Sequence, residues 1–470
     1  MKTKYVAILL LYLIATACKN NRQTLGDKAE EQQVNLTELY ASEEVLDTIV
    51  PNPGVKYPEQ RKIDPQNPPK VINLETVAEA RELDLAQYYA EVEYIKLKHP
   101  LSEKGIAFLG NSSYEVLYDQ GGMMGDGANS RVYLTEDKLI AGDNFFGYHC
   151  FDFQGNYTHT LIAKKELPDF DLKNNKASLH WSPEGETIHG ISVLDDNCLI
   201  MSTNNRKSTF VFHHLGTRKN YLSRPGSPGS VLLLSPDTYV ADMYRAISTG
   251  REPMLYCFDI KGDTLSKFIN YNPLADVGRG SYTNPESTIF YRHGKYLTMR
   301  QAYNDTIFRV TAEKLIPVYV LSSGSKKPDV QTALKGDKKG KIFISKLLET
   351  DDFLFITHTE DYDCRNNRNS GAVRFFYSYF DKKAAKRYAL PRSGFPEVFT
   401  LTNSIDGTIP VSISNASVYK NKFYSSYTKR QLSEIISSDA FAAFPAAQRA
   451  KLQSLHSEMT DFELLVMILK

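Results

Sequence analysis

Phe151-Asp152-Phe153-Gln154-Gly155-Asn156 is echoed later in the chain by Phe258-Asp259-Ile260-Lys261-Gly262-Asp263. In each, an aromatic closes an apolar run, Asp and Gly make a tight turn, and a polar residue opens the next run. Phe212-His213-His214-Leu215-Gly216 keeps the Phe and the Gly, and Phe380-Asp381-Lys382-Lys383 keeps the Phe and the Asp. Phe308, inside Asn304-Asp305-Thr306-Ile307-Phe308-Arg309-Val310, marks a further unit. The anchors Phe151, Phe212, Phe258, Phe308 and Phe380 lie 61, 46, 50 and 72 residues apart. Such spacings suit four-stranded propeller blades with insertions better than a solenoid. With one more unit completed by strands near Tyr94 and Tyr424, the pattern predicts an all-β, six-bladed β-propeller. A two-sheet sandwich, or two smaller all-β domains, is the competing arrangement.

The surrounding texture agrees with strands. Val92-Glu93-Tyr94-Ile95-Lys96-Leu97 alternates apolar and charged residues, and short runs such as Asn197–Met201, Leu255–Ile260, Phe353–Thr357 and Val373–Phe380 are separated by Asn, Asp, Gly and Lys turns. A short N-terminal helix is predicted over Val77 to Tyr89. A C-terminal helical segment is predicted at about 430–459, as Arg430–Ser438 and Pro445–Met459, from the spacing of Leu432, Ile435, Leu452 and Leu455. The chain then ends Phe462-Glu463-Leu464-Leu465-Val466-Met467-Ile468-Leu469-Lys470, too apolar to leave in water. That segment is expected to pair as a strand or to pack on the body.

The start of the chain carries an address. Lys2 and Lys4 precede an apolar run, Val6 to Ile14, that is too short to span a bilayer; Ala15-Thr16-Ala17 then leads into Cys18. Residues 1–17 therefore read as a signal peptide. Small residues directly before a cysteine resemble the lipobox of bacterial lipoproteins, with Ala15 where Leu is more usual, which makes Cys18 the site of lipid attachment. An ordinary signal peptide cut after Ala17 is the alternative. Residues 18–70 read as a flexible tether, polar at first and then carrying Pro51, Pro53, Pro58, Pro65, Pro68 and Pro69. The body is residues 71–470.

Composition excludes some partners and leaves others open. The 56 basic and 55 acidic residues nearly cancel, and no basic stripe tracks a phosphate backbone, so nucleic acid is not an expected partner. Beyond Cys18, the cysteines Cys150, Cys198, Cys257 and Cys364 are scattered and do not make a disulfide framework. Cys198 and Cys257 sit in apolar runs and are expected to be small buried residues.

No stretch carries a strong catalytic signature. Gly226-Ser227-Pro228-Gly229-Ser230 has the letters of a nucleophile elbow in the wrong order and reads as a turn. His213-His214 are adjacent, and neighbours on a strand point to opposite faces, a poor arrangement for one metal ion. Glu360-Asp361-Tyr362-Asp363 offers clustered oxygens to calcium but lacks calcium-loop spacing, and Arg365 and Arg368 follow it. Gly121-Gly122-Met123-Met124-Gly125-Asp126-Gly127 reads as a loop between blades, its methionines free to meet a partner. Asp143, Asn144 and Asp242 are candidates for a polar cluster on the propeller axis, and Trp181, the single tryptophan, for stacking on a sugar face. No metal site, cofactor or catalytic residue is assigned. Thr48 in the tether resembles the Asp-Thr-aliphatic sites at which Bacteroidetes O-glycosylate exported proteins; Asp263-Thr264-Leu265 and Asp305-Thr306-Ile307 share the pattern.

Three places together resemble the six-bladed β-propeller lipoproteins of Bacteroidetes. These are Asp84-Leu85-Ala86 leading to Val92–Leu97, Asn304–Val310 followed by Ile316-Pro317, and the helical pair before Met467-Ile468-Leu469-Lys470. Arg224-Pro225-Gly226-Ser227-Pro228-Gly229 is the nearest counterpart of that family's Gly-Pro turn. The resemblance implies a fold and a compartment and carries over no catalytic residues. The expected function is a lipid-anchored, non-catalytic binding or assembly module for a protein or glycan partner, held to the membrane through its lipid. The expected location is the outer membrane, facing the periplasm or the cell surface, because Lys19 rather than an inner-membrane-retaining Asp follows Cys18. The alternative is a calcium-dependent propeller enzyme of the lactonase, glycosidase or polysaccharide-lyase type.

Overall fold

The computed structural model describes residues 66–98, 132–143, 147–163, 187–204, 207–214, 220–223, 230–242, 253–269, 286–328, 340–360, 374–391, 400–413, 415–461 and 463–470. Two strands from the N-terminal side, β1 (Lys70–Asn73) and β2 (Val92–Leu97), precede a series of antiparallel meanders. The first meander is β3 (Val132–Leu134), β4 (Leu139–Asp143), β5 (Gly147–Phe151) and β6 (Tyr157–Ala163). The second is β7 (Thr187–Leu194), β8 (Asn197–Asn204), β9 (Lys207–His214) and β10 (Asn220–Ser223), and the third is β11 (Ser230–Ser235), β12 (Thr238–Asp242), β13 (Pro253–Asp259) and β14 (Thr264–Ile269). The fourth is β15 (Ile289–His293), β16 (Tyr296–Arg300), β17 (Thr306–Val310) and β18 (Leu315–Ser322), and the fifth is β19 (Phe343–Glu349), β20 (Phe353–Glu360), β21 (Arg374–Asp381) and β22 (Lys386–Ala389). A short pair, β23 (Thr400–Leu401) and β24 (Val411–Ser412), precedes β25 (Ala416–Tyr419) and β26 (Lys422–Thr428). Three helices follow, α1 (Lys429–Ile436), α2 (Asp439–Ala442) and α3 (Ala446–Ser457), before the last strand, β27 (Leu464–Leu469).

The five meanders are five propeller blades, and each aromatic anchor of the sequence repeat falls on the third strand of one of them. The expectation of a six-bladed propeller is corrected to five blades, and the remaining place is filled differently. There the chain forms a composite four-stranded sheet, ordered β2-β27-β26-β25, that joins the two ends of the body. It lacks the Phe-turn unit, the three helices separate its second and third strands, and its outer strand comes from residues 92–97. The physical reason is closure. By pairing with β26 on one side and β2 on the other, β27 holds the N-terminal strand and the last strand in one sheet.

Because each blade is covered by a neighbour on both faces, inner strands read as continuous apolar runs rather than alternating ones. β27 is buried at all six positions, and β20 at every position except Glu360. Between the third and fourth blades, Val240, Phe268, Phe290 and Phe308 form one apolar layer; between the composite sheet and the first blade, Ile95, Val466, Phe151 and Leu134 form another. Each buried Phe, Leu or Val contributes about 1.5–3 kcal/mol to that packing.

The repeated turn works as its sequence implies. Asp152 Oδ1 accepts the amides of Gln154 at 2.9 Å and Asn156 at 2.8 Å, and Asp259 Oδ1 accepts those of Lys261 and Asp263, both at 2.9 Å. Gly155 and Gly262 take φ of 81° and 93°. In the fifth blade the same Asp chemistry at Asp381 is completed by Ala385 at φ 50°. Gly155 has a second constraint: a Cβ there would lie 2.1 Å from the carbonyl oxygen of Lys96 on β2. Gly155→Ala is expected to lower stability by about 1–3 kcal/mol, read from urea unfolding; an unchanged midpoint would show that the first blade does not seat on β2 this closely.

The helix predicted over 77–89 is also corrected. Only a single 3-10 turn forms, Leu85–Gln87, with Asp84 accepting the amide of Ala86. Neighbouring strands take the hydrogen bonds a helix would need. Arg81 N–H donates to Ala389 O and Ala389 N–H to Glu79 O, while Leu85 N–H donates to Thr402 O and Thr402 N–H to Leu83 O. The segment is thus an extended belt. It adds β1 in parallel to β18, bridges to the outer strand of the fifth blade, and ends as the outer strand of the composite sheet.

Candidate functional site

Strand direction gives the ring two unlike faces. At one, the first and second strands of each blade join through short turns, as do β25 and β26 of the composite sheet at Lys420-Asn421, whose φ values of 44° and 62° match the twist of a tight hairpin. The opposite face is where β6, β12, β14, β18 and β20 end, each well before the next strand begins, and where the three helices follow β26. Long connections on a rigid scaffold are where binding residues concentrate, so this loop face is the candidate functional surface.

Part of it lies over the fourth and fifth blades. Glu286, just before β15, receives both terminal nitrogens of Arg300 at 3.1 and 3.2 Å, and also the backbone amides of Tyr303 at 2.7 Å and Ile344 at 2.6 Å. This carboxylate fixes the loop after β16, where Tyr303 adopts φ 60°, against the first strand of the next blade. Around it, Lys326 donates to Glu360 at 3.1 Å and Lys327 to Asp305 at 2.7 Å. His358 stacks on Phe376 with centroids 5.3 Å apart. Burial, and then the charges of Arg387 and Lys326, push its pKa down to about 3, so it is neutral near pH 7.

The turn face holds a second cluster, at the seam of the same two blades. Glu349 accepts from Arg309 at 2.8 and 2.9 Å, from Lys382 at 2.8 Å and from Tyr319 OH at 2.9 Å. Burial alone would raise its pKa, but the hydrogen bonds and charge of Arg309, then Lys382 and His293, hold it at about 2. Nearer the axis, Asp195 of the second blade meets Tyr419 OH at 3.2 Å and Lys420 at 3.1 Å, and Lys420 also pairs with Glu136. These contacts tie the second blade and the composite sheet across the turn-face mouth. In both buried clusters the carboxylate oxygens are already occupied by guanidinium, ammonium, hydroxyl or amide donors. Their chemistry is that of fasteners between blades.

The residues nominated by sequence are distributed as follows. Asp143 and Asp242 end the second strands of the first and third blades, the position that Arg300 and Glu360 hold in the fourth and fifth. All four therefore reach the loop face, and Asp242 is buried there. His213 and His214 end β9, and Ser230 begins β11. Cys150, Cys198 and Cys257 are buried, with burial pushing the Cys257 thiol up to about 12. Thr264 is buried and Thr306 half-buried. Cys18, Thr48, Gly121–Gly127, Asn144, Trp181, Arg224–Gly229 and Asp361–Asp363 lie outside the described residues. Among the described residues, no three His, Cys, Asp or Glu side chains gather as a metal site requires, and no helix is long and apolar enough to cross a membrane. Sequence reasoning missed Glu286, Arg300, Arg309 and Glu349. A usable signal existed for two of them, since Arg309 and Glu349 are charges set inside apolar strand runs, where an unpaired charge is costly.

A ring of radial antiparallel sheets, closed by strand pairing and bearing long connections on one face, defines a β-propeller, here with a C-terminal helical segment. The chain belongs to the family described as a domain of unknown function, DUF4933, whose profile matches residues 52–438. This membership replaces the resemblance to the six-bladed lipoprotein family. An exported protein of Bacteroides fragilis is similar in structure, with a TM-score of 0.52 at 13% identity, over 85% of this chain and 99% of that one. AztD of Citrobacter koseri aligns with a TM-score of 0.30 at 9% identity, over 63% of this chain and 80% of that one. No curated protein matches the chain by sequence.

Proposed function

We propose that this protein is a lipid-anchored, non-catalytic binding or assembly module of the cell envelope, which takes a protein or glycan partner on its loop face. The observation that carries this reading is the contrast between the faces. The described hairpins of the turn face are short and tied by their own side chains, whereas the strands followed by the longest stretches of sequence end at the other face. A rigid ring then presents that surface, and a Pro-rich tether behind Cys18 gives it reach from an outer-membrane lipid, toward the periplasm or the cell surface. The description of the structurally similar B. fragilis protein as exported fits this address.

The test is a mild crosslinking pull-down of the lipidated full-length protein from its native envelope, read by mass spectrometry. One abundant co-purifying protein or glycan conjugate is expected. Recovery of the protein alone, across crosslinkers of several lengths, would overturn the assembly reading. In the same cells Cys18→Ser is expected to move the protein from the membrane to the soluble fraction; retention on the membrane would place the anchor elsewhere.

A further inference from the structure

His293 ends β15 at the turn face, and Gly294-Lys295 then turn the chain into β16. Its ring is held on both sides. Arg309 Nη2 lies 3.0 Å from Nδ1, and Asp351 Oδ1, in the first turn of the fifth blade, lies 3.1 Å from Nε2. A guanidinium has donors and no acceptor, so Nδ1 offers Arg309 its lone pair, and the proton of the neutral ring sits on Nε2 facing Asp351. One tautomer of the neutral ring thus satisfies both neighbours. Asp351 is held in turn, because its amide donates to Asn421 Oδ1 at 2.9 Å, in the hairpin of the composite sheet. The contacts from Arg309 through His293 and Asp351 to Asn421 therefore tie three sheets together above the Glu349 cluster.

A second proton does not fit this arrangement. Placed on Nδ1, it sets an N–H against the N–H of Arg309. The carboxylate on that side, Glu349, has Oε1 3.7 Å from Nδ1, and this oxygen already accepts from Arg309, Lys382 and Tyr319. The charged groups facing the ring are Arg309 from β17, Glu349 from β19, Asp351 from the turn after it and Lys382 from the turn after β21. The phenols of Tyr291 and Tyr319 stand beside Glu349 and are kept neutral by burial. Burial first, opposed by Glu349 and Asp351 and assisted by Lys382 and Arg309, holds the His293 pKa below the ordinary 6.5. The ring has somewhere to go when it charges. Its side chain is 22% exposed, and a Cβ on Gly294 at the hairpin tip would meet no atom within 4 Å.

We infer that His293 is a pH-sensitive latch on the turn face: neutral, it seats the β15–β16 hairpin on Arg309 and Asp351, and on protonation it loses Arg309 and the hairpin lifts from the seam. The inference stands apart from the binding-module reading. Because the folded pKa is depressed, the latch contributes fully above the unfolded value of 6.5 and is lost as pH falls through it, a window above that of Glu349. The test uses the whole chain carrying Cys18→Ser, with its histidines isotope-labelled, and compares it with His293→Gln. Glutamine can accept from Arg309 and donate to Asp351 but does not titrate. In imidazole NMR, the signal absent from the variant is expected to show the Nε2–H tautomer and a midpoint below 6.5. Asp351→Asn, at an exposed residue, removes a nearby negative charge and is expected to lower that midpoint further. Amide exchange of residues 293–296, corrected for its intrinsic pH dependence, is expected to rise between about pH 7 and 5 in the parent and to stay level in His293→Gln. An Nδ1–H tautomer, a midpoint at or above 6.5, or the same exchange response in both proteins would each overturn the inference. Should His293→Gln lower the urea midpoint at neutral pH, the tautomer and the Asp351→Asn shift, both read with His293 in place, decide the matter.

Discussion

Glu349→Ala is expected to destabilise the protein by about 3–5 kcal/mol, the largest effect of any single side-chain truncation in the seam between the fourth and fifth blades. The carboxylate is fully buried and answers two cations and a phenol at once. Without it, Arg309 and Lys382 remain in the seam with no counter-charge, and the side chains cannot all turn out to water because Arg309 lies within β17. Replacing one partner of a buried pair costs far more than the pair itself contributes, since desolvation is no longer offset. Equilibrium urea unfolding gives the number. A loss below about 1 kcal/mol would mean that water reaches this seam and the cluster behaves as a surface ion pair.

The same group sets a pH dependence. The folded pKa of Glu349 is depressed to about 2 from the ordinary 4.5. Its contribution is therefore complete above the unfolded value and is lost as pH falls from about 4.5 toward 2, with a total on the order of 3 kcal/mol. Acid unfolding of the parent and of Glu349→Ala is expected to converge over that window.

Val466→Asp is expected to abolish cooperative folding. Val466 is fully buried at the centre of β27, facing Leu134 and Phe151 of the first blade, and its strand is hydrogen-bonded on both sides. A carboxylate at that position finds no cation among its neighbours, and a buried unpaired charge costs several kcal/mol. The position is special because β27 pairs with both β26 and β2, so the damage reaches ring closure rather than one layer. Lys470→Ala, at the exposed end of the same strand, removes only a surface pair with Glu93 and is expected to stay within about 0.5 kcal/mol of the parent. Circular dichroism melts of the two variants provide the comparison. A sharp, parent-like transition in Val466→Asp would show that the two ends of the body fold independently of β27.

How much of this was legible in the sequence depends on how local the physics is. The Phe-Asp-x-x-Gly turn can be read from six residues because Asp152 and Asp259 bond to amides two and four positions on. The terminal run 464–469 could be recognised as a buried strand because nothing that apolar stays in water. Residues 77–89 misled because Ala and Leu spacing suits a helix in isolation, whereas Ala389 and Thr402, hundreds of positions away, supply the hydrogen bonds that keep it extended. The composite sheet departs from the repeat for a related reason: closure is a requirement of the whole ring and leaves no turn motif behind. The fasteners are the least legible. Glu349 meets Arg309 across a blade boundary, and Glu286 meets Ile344 N–H across the same one, so each pairing exists only after the blades are placed. The loop face was foreseen as a principle of propellers, but Asp143 and Asp242 could be assigned to it only when strand direction was known.

The proposed partner would meet the loop face. The most direct test is an amine-reactive crosslink of the lipidated protein in its own envelope, with the modified lysines mapped by mass spectrometry. Lys326, Lys327 and Lys341 stand at the loop-face ends of the fourth and fifth blades, whereas Lys138, Lys295 and Lys420 stand in the short turns opposite. Partner crosslinks are expected on the first set and none on the second. Crosslinks concentrated on Lys138, Lys295 and Lys420 would contradict it and make the turn face the recognition surface.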